Sequence, residues 1–316
     1  MKEIGGYIEF ERYRRPMLHE DAIALNCGRN CLAYLIRARQ ISKIVLPYFI
    51  CDSVAMLCRL YNVGYRYYHI NGDFTPEEVK LDKDEWLYIV DYYGQISKNK
   101  LERLRDKYIR VIVDYSQAYF EMPVDKVDSL YTCRKFFGVA DGAFLYTDSI
   151  LNCEFERDES YQRMGFLLGR FERTANEFYD EYVANNEAFI NEPIKRMSKL
   201  TNNLLRGIDY DFVRQRRTEN FAYLHAGLSN INELALSIPE GAFMYPLYIK
   251  TGKKVRELLR DKKIYIPVLW PDVFKICSKN TLEYDMAENI LPLPVDQRYD
   301  INDMIYLVGE IKNILG

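Results

Sequence analysis

The sequence predicts an α/β protein with a large domain, built on a mostly parallel central sheet flanked by helices, and a smaller C-terminal α/β domain. Three observations carry that prediction. Strand-like and helix-like runs alternate from about residue 20 to 150. Two of the strand-like runs end in aspartate. Beyond residue 150 a long charged helical stretch gives way to short strand candidates and a final helix. The expected division is 1–190 for the large domain and 191–316 for a helical connection with the small one.

The elements follow in order. His19 to Leu25 leads into the polar turn Asn26-Cys27-Gly28-Arg29-Asn30, which opens a helix whose apolar positions 32, 35 and 36 recur at helical spacing. Lys43 to Pro47 is a short β-rich run stopped by proline, and Asp52-Ser53 is placed to cap a helix that Gly64 ends. Tyr65 to Ile70, Trp86 to Asp91 and Ile109 to Asp114 are further strands, the last two separated by the charged helical segment KLERLRDKY. Parallel strands place ligands at their carboxyl ends, where Asp91 and Asp114 fall. Cys153 to Arg217 reads as two or three helices. Tyr245 to Ile249 and Ile264 to Leu269 read as strands flanking a helix over RELLRDKK, and MIYLVGEIKNIL closes the chain as a helix. No internal repeat or Gly/Ser linker separates the parts.

Composition removes several function classes. Hydrophobic residues make up 48% and charged residues 28%, which excludes a disordered or low-complexity chain. Forty-three basic residues against 46 acidic ones leave a formal charge of -3, too balanced for a clamp on duplex nucleic acid. There is neither a signal-like apolar segment nor an apolar run of membrane-spanning length, so the expectation is a cytoplasmic protein without membrane association. Seven cysteines without a CxxC pair, and three histidines, point to reduced thiols and no metal site. His69 and His225 have no partner at nucleophile-triad spacing, and His19 and the run Arg214 to Arg217 read as solvated helix residues. Without a GxGxxG, a dinucleotide-binding reading has no support.

The chemistry-bearing residues lie in three segments. Lys135 sits in the aromatic run Tyr131 to Phe137, which leads through a glycine-bearing turn into a strand; desolvation there favours the neutral amine that attacks carbonyls. Asp114, with Gln117 a helical turn further on, supplies a carboxylate at the ligand edge of the sheet. Gly28, Arg29 and Asn30 at a helix N-terminus offer backbone N–H groups, a favourable dipole and a guanidinium to a phosphate. Phosphate loop, ring-nitrogen carboxylate and lysine, in that order, are the parts of a pyridoxal phosphate site.

At these residues the chain resembles the DegT/DnrJ/StrS-type aminotransferases, pyridoxal-phosphate enzymes of the aspartate-aminotransferase fold (fold type I). The resemblance covers nearly the whole chain, from Ile4-Gly5-Gly6-Tyr7-Ile8-Glu9 onward. Asn26 to Asn30 is similar to the family's Ser-Gly-Thr or Ser-Gly-Arg phosphate loop, with Cys27 at the serine. Asp114-x-x-Gln117 is similar to its Asp-x-x-Gln/His element, which implies that Asp114 pairs with the pyridine nitrogen and Gln117 donates near the ring oxygen. Lys135 and Asp141-Gly142-Ala143 are similar to its Schiff-base lysine and the Glu-Gly-Gly that follows.

The resemblance further implies pyridoxal 5'-phosphate as cofactor, an amino acid donor such as glutamate, a keto-sugar acceptor carried on a nucleotide, and a homodimer whose sites the partner subunit completes. The family's phosphate-binding serine, five residues before the lysine, is Leu130 here, and Thr132 is the substitute. Its ring-stacking aromatic corresponds to Tyr48 or Phe49 after Pro47, although counting from the proline reaches Cys51. Arg217, Asn220, Trp270, Pro271 and Pro294 to Tyr299 resemble its C-terminal pattern without assigned roles. Dehydratase relatives replace the lysine with histidine, whereas this chain keeps the lysine; the alternative is a catalytically degenerate relative acting as a sugar-nucleotide or protein binding module. Among 27 tyrosines, Tyr48, Tyr92, Tyr93, Tyr115, Tyr119 and Tyr131 fall beside these segments and are expected to bound the pocket.

Overall fold

Seven strands form the central sheet of the computed structural model, which describes residues 4–316. In chain order the first half runs β1 (Ile23–Leu25), α1 (Gly28–Ala38), β2 (Lys43–Pro47), α2 (Asp52–Leu60), β3 (Gly64–Tyr68), β4 (Glu85–Val90), α3 (Lys98–Tyr108), β5 (Val111–Asp114), β6 (Asp128–Thr132) and β7 (Ala143–Tyr146). Across the sheet the order is β1-β7-β6-β5-β4-β2-β3. Only β7 runs against its neighbours β1 and β6; the other pairings are parallel.

The sequence explains these strands. β2 is exposed only at Lys43 and buries Ile44, Val45 and Leu46, while all four residues of β5 are buried. Continuous apolar runs of this kind belong to parallel strands covered on both faces. Because β1 runs parallel to β6, the α1 N-terminus, Asp114 at the end of β5 and Thr132 at the end of β6 meet along one carboxyl edge. Asp91 follows β4 on that edge.

The second half holds α4 (Gly165–Glu172), α5 (Tyr179–Glu187), α6 (Lys199–Leu205), α7 (Tyr210–Leu228), β8 (Met244–Tyr248), α8 (Gly252–Asp261), α9 (Val273–Ile276), α10 (Leu282–Asn289), β9 (Ile290–Pro294) and α11 (Ile301–Leu315). A large buried cluster packs around the central sheet, and a second joins α7, β8, α8, β9 and α11 through Phe221, Leu224, Tyr245, Leu259, Leu293 and Leu307.

Four expectations are corrected. Ile264 to Leu269 forms no strand: Pro267 removes a ladder donor, and no strand lies beside the segment. The partner of β8 is β9, whose Pro292 and Pro294 mask it in sequence; Pro246 and Pro292 face each other in a two-stranded antiparallel pair, where prolines are tolerated because both strands are edges. α2 starts after Cys51, with Asp52 as its first residue and no side-chain cap, and it stops at Leu60 through Asn62 at a φ of 55°, so Gly64 starts β3 instead of ending the helix. Between Cys153 and Arg217 the chain forms α4, α5, α6 and the first turns of α7, more helices than the two or three expected.

Candidate active site

A cavity of about 290 Å³ opens at the carboxyl edge of the sheet. Gly28, Arg29, Asp114, Gln117, Thr132 and Lys135 line it, so the wall brings together three segments spread over about a hundred residues of chain. Asn30 does not take part through its side chain, whose Nδ2 donates to Asn26 Oδ1 at 2.6 Å and to the Pro193 carbonyl at 2.9 Å.

One end of the cavity is a closed polar network. Asp114 is nearly buried; its Oδ2 accepts from the Tyr88 hydroxyl at 2.9 Å and its Oδ1 from the Ser116 N–H at 2.7 Å. Lys135 lies in the turn between β6 and β7, and its Nζ donates to Ser116 Oγ at 2.9 Å. The lysine sits deep in the molecule, yet its side chain is exposed because it borders the open cavity. Desolvation by the surrounding protein pulls its pKa below the ordinary lysine value, and Asp114 opposes that pull. Gln117 is fixed through its Oε1, which accepts from the Tyr93 N–H at 3.0 Å, so its amide N–H groups remain as donors beside the cavity.

The other end is unfinished. α1 begins at Gly28, so the N–H groups of Gly28 and Arg29 have no acceptor within the helix. Arg29 Nη1 and Thr132 Oγ1 are buried and have no partner among the described residues. Gly28 lies against Thr132, and a Cβ there would come within 2.8 Å of Thr132 Cγ2. A close backbone approach, two orphaned donors and a helix N-terminus fit the phosphate of pyridoxal phosphate, while Asp114 and Lys135 at the far end fit its ring nitrogen and carbonyl carbon. Cys27 contributes no charge: burial pushes its thiol up to about 11.

The turn that carries Lys135 is braced from behind. Asp141 is buried and accepts from the Ser198 N–H and Oγ, both at 2.7 Å, and from the Thr201 hydroxyl. Gly142 has a φ of 113°, and a Cβ there would meet Thr201 and Cys133 within 3.3 Å. Arg217, expected to be solvated, is instead one of the largest fully buried side chains. It donates to the carbonyls of Phe136 and Ala242 at 3.1 and 2.9 Å and to Gln297 Oε1 at 2.9 Å, tying the lysine turn to the start of β8.

Two aromatic expectations change. Neither Tyr48 nor Phe49 borders the cavity: Tyr48 stacks on Tyr67 at 4.9 Å, and Phe49 packs on Trp270 at 4.2 Å. The residue that counting from Pro47 reaches, Cys51, does line it. Tyr92, Tyr93, Tyr115, Tyr119 and Tyr131 are fully buried and also miss the cavity, with Tyr115 and Tyr131 stacked on each other at 4.9 Å. The aromatic wall comes from Phe189, Phe243 and Trp270, with Tyr88 the cavity's tyrosine. Phe243 lies 5.6 Å below Lys135 Nζ. Of the residues missed in sequence, Ser116 was legible as part of Asp114-x-x-Gln117 and Arg134 as the neighbour of Lys135; Phe189 and Phe243 carried no local signal.

No family model matches the chain, and no curated protein matches it. Its structure is similar to several solved aminotransferases. The sugar aminotransferase CalS13 from Micromonospora echinospora superposes with a TM-score of 0.62 at 15% identity, over 92% of this chain and 87% of that one. PseC from Helicobacter pylori, an aminotransferase involved in the biosynthesis of pseudaminic acid, gives 0.64 at 13% identity, over 92% and 86%. NtdA from Bacillus subtilis, solved with bound cofactor PMP, gives 0.65 at 12% identity, over 93% and 73%. The sheet order, its single reversed strand and these superpositions show that the chain has the fold of type I pyridoxal-phosphate aminotransferases.

Proposed function

We propose that the protein is a pyridoxal-phosphate-dependent aminotransferase of the DegT/DnrJ/StrS type that moves an amino group from an amino acid such as glutamate to a keto sugar. The acceptor in this reading is nucleotide-linked, and the product enters surface polysaccharide or amino-sugar biosynthesis in the cytoplasm. The observation that carries the proposal is the placement of Lys135 Nζ on the cavity wall, 2.9 Å from Ser116 Oγ and beside the buried Asp114. The superposed proteins described as sugar aminotransferases support the choice of acceptor class.

Bound cofactor supplies an electron sink that acidifies the donor's α-hydrogen. Asp114, whose carboxylate is held by Tyr88 and the Ser116 N–H, would keep a proton on the ring nitrogen. Lys135, with its ammonium disfavoured by desolvation, would take the α-proton at Nζ and hand it back on the cofactor side. Ser116 Oγ holds the amine in reach between these events. Gly28, Arg29 and Thr132 would anchor the phosphate. Homodimer formation and the division into 1–190 and 191–316 belong to the same proposal.

Purified protein incubated with pyridoxal phosphate is expected to absorb at roughly 410 to 430 nm, to lose the band on addition of glutamate, and to form an adduct that borohydride fixes on Lys135. Absence of that band overturns the proposal. A band that glutamate leaves unchanged supports a binding-only relative. A panel of keto nucleotide sugars, assayed for amino transfer, identifies the acceptor.

A further inference from the structure

We infer that Arg134, the residue before Lys135, is the second guanidinium of a clamp that, with Arg29, holds the cofactor's phosphate dianion. The inference rests on the proposed function. Arg134 borders the same cavity as Arg29 and Thr132. Its surroundings supply shape without charge: the guanidinium lies 4.8 Å from the Phe189 ring centre and donates to Asn186 Oδ1, a neutral acceptor.

Arg163 makes the contrast. It packs on the same ring at 5.0 Å and is matched by Asp158 at 2.7 Å. Arg134 has no such carboxylate among the described residues. Arg29 is in the same position, with a buried Nη1 that bonds to nothing. The cavity's charged lining is therefore Arg29, Arg134 and Lys135 against the single carboxylate of Asp114, which is already held by Tyr88 and Ser116. Asp114 and Lys135 lie together at the ring end, which leaves the two guanidiniums of Arg29 and Arg134 to match the two charges of a phosphate monoester dianion. Desolvation, with a contribution from Arg29, disfavours Arg134's charged form, a cost that an anion between the two guanidiniums relieves.

The reading also accounts for Leu130 standing where a phosphate-binding serine is expected. Leu130 lines the cavity and donates nothing, while Arg134, on the same turn as Lys135, supplies charged donors from within the chain.

The test compares Arg134→Gln, Arg134→Lys and Asn186→Asp with the unaltered protein. Asn186→Asp leaves Arg134 in place but neutralises it, so the inference stays testable if Arg134→Gln fails to fold. Titrations with pyridoxal phosphate and with pyridoxal, which lacks the phosphate, are read by absorbance, and inorganic phosphate is read by the shift in Tm. Arg134→Gln and Asn186→Asp are expected to weaken pyridoxal phosphate binding about 10- to 100-fold, to change pyridoxal binding far less, and to abolish the Tm shift with phosphate. Arg134→Lys is expected to fall between. Unchanged pyridoxal phosphate affinity in both Arg134→Gln and Asn186→Asp overturns the clamp while leaving the proposed function intact. If the unaltered protein forms no adduct, the proposed function fails, and the phosphate Tm shift still decides whether Arg134 binds the anion.

Discussion

The two ends of the cavity are built on opposite principles. At the ring end, Asp114, Tyr88, Ser116 and Lys135 bond to one another, so the network is complete within the protein. At the phosphate end, Arg29 Nη1 and Thr132 Oγ1 are buried without partners, and Arg134 faces no carboxylate. A group that moves protons must be held in place before substrate arrives, whereas a group that only anchors can wait for its ligand. The comparison teaches that substitutions at the ring end should disable chemistry and loosen the apoprotein, while substitutions at the phosphate end should weaken binding and spare the fold.

The harshest way to break that contrast is Lys135→Ala. It removes the proposed proton carrier, and amino transfer is expected to fall by about 10⁴-fold, with no borohydride-fixed adduct on the chain. Retention of the adduct would place the reactive amine elsewhere. Next comes Asp114→Asn, which keeps the shape and removes the carboxylate charge proposed to face the ring nitrogen; the turnover rate is expected to fall by about 10² to 10³ at saturating cofactor. A loss confined to cofactor affinity would move Asp114 into the anchoring class.

A pair of near-isosteric changes sharpens the contrast in stability. Tyr88→Phe deletes a donor to the buried Asp114 and is expected to cost the apoprotein roughly 1 to 3 kcal/mol. Thr132→Val deletes a hydroxyl that already lacks a partner, so it should leave the apoprotein unchanged or up to about 1 kcal/mol more stable, while weakening pyridoxal phosphate binding about tenfold. Urea denaturation of both apoproteins measures the difference. Equal destabilisation would mean that the phosphate end is as closed as the ring end.

The sequence discloses these two ends unequally. Lys135, Asp114, Gln117 and the Gly28 turn were legible because each is a residue type tied to a strand end or helix start, and a parallel sheet brings such ends to one edge. The cavity's aromatic wall was not legible. Tyr48 and Phe49 have the right chemistry, but Tyr48 packs on Tyr67 and Phe49 on Trp270, while Phe189 and Phe243 come from segments far along the chain. The same limit hid β9, since two prolines in five residues argue against a strand until an edge partner with its own proline is known. Arg217 shows the reverse case. A charge run reads as a solvated face, and only the carbonyls of Phe136 and Ala242 explain a buried guanidinium.

The smallest expected effect separates the two ends by sign. Lys135's pKa is lowered chiefly by desolvation, raised by Asp114 and Cys51, and lowered by Arg134. A simple aldehyde without ring or phosphate, such as glycolaldehyde, reacts only with the neutral amine, so the pH at which borohydride trapping sets in reports that pKa directly. Asp114→Asn removes the stabilisation of the ammonium, and trapping should set in at lower pH than in the unaltered protein. Arg134→Gln removes a repelling cation, and trapping should set in at higher pH, by a smaller step because Asp114 acts on Lys135 more strongly than Arg134 does. Shifts of the same sign would mean that both substitutions act through a common rearrangement of the lysine turn. Opposite shifts would show that Lys135 lies in the field of both ends, its charge favoured by the carboxylate of one and opposed by the guanidinium of the other.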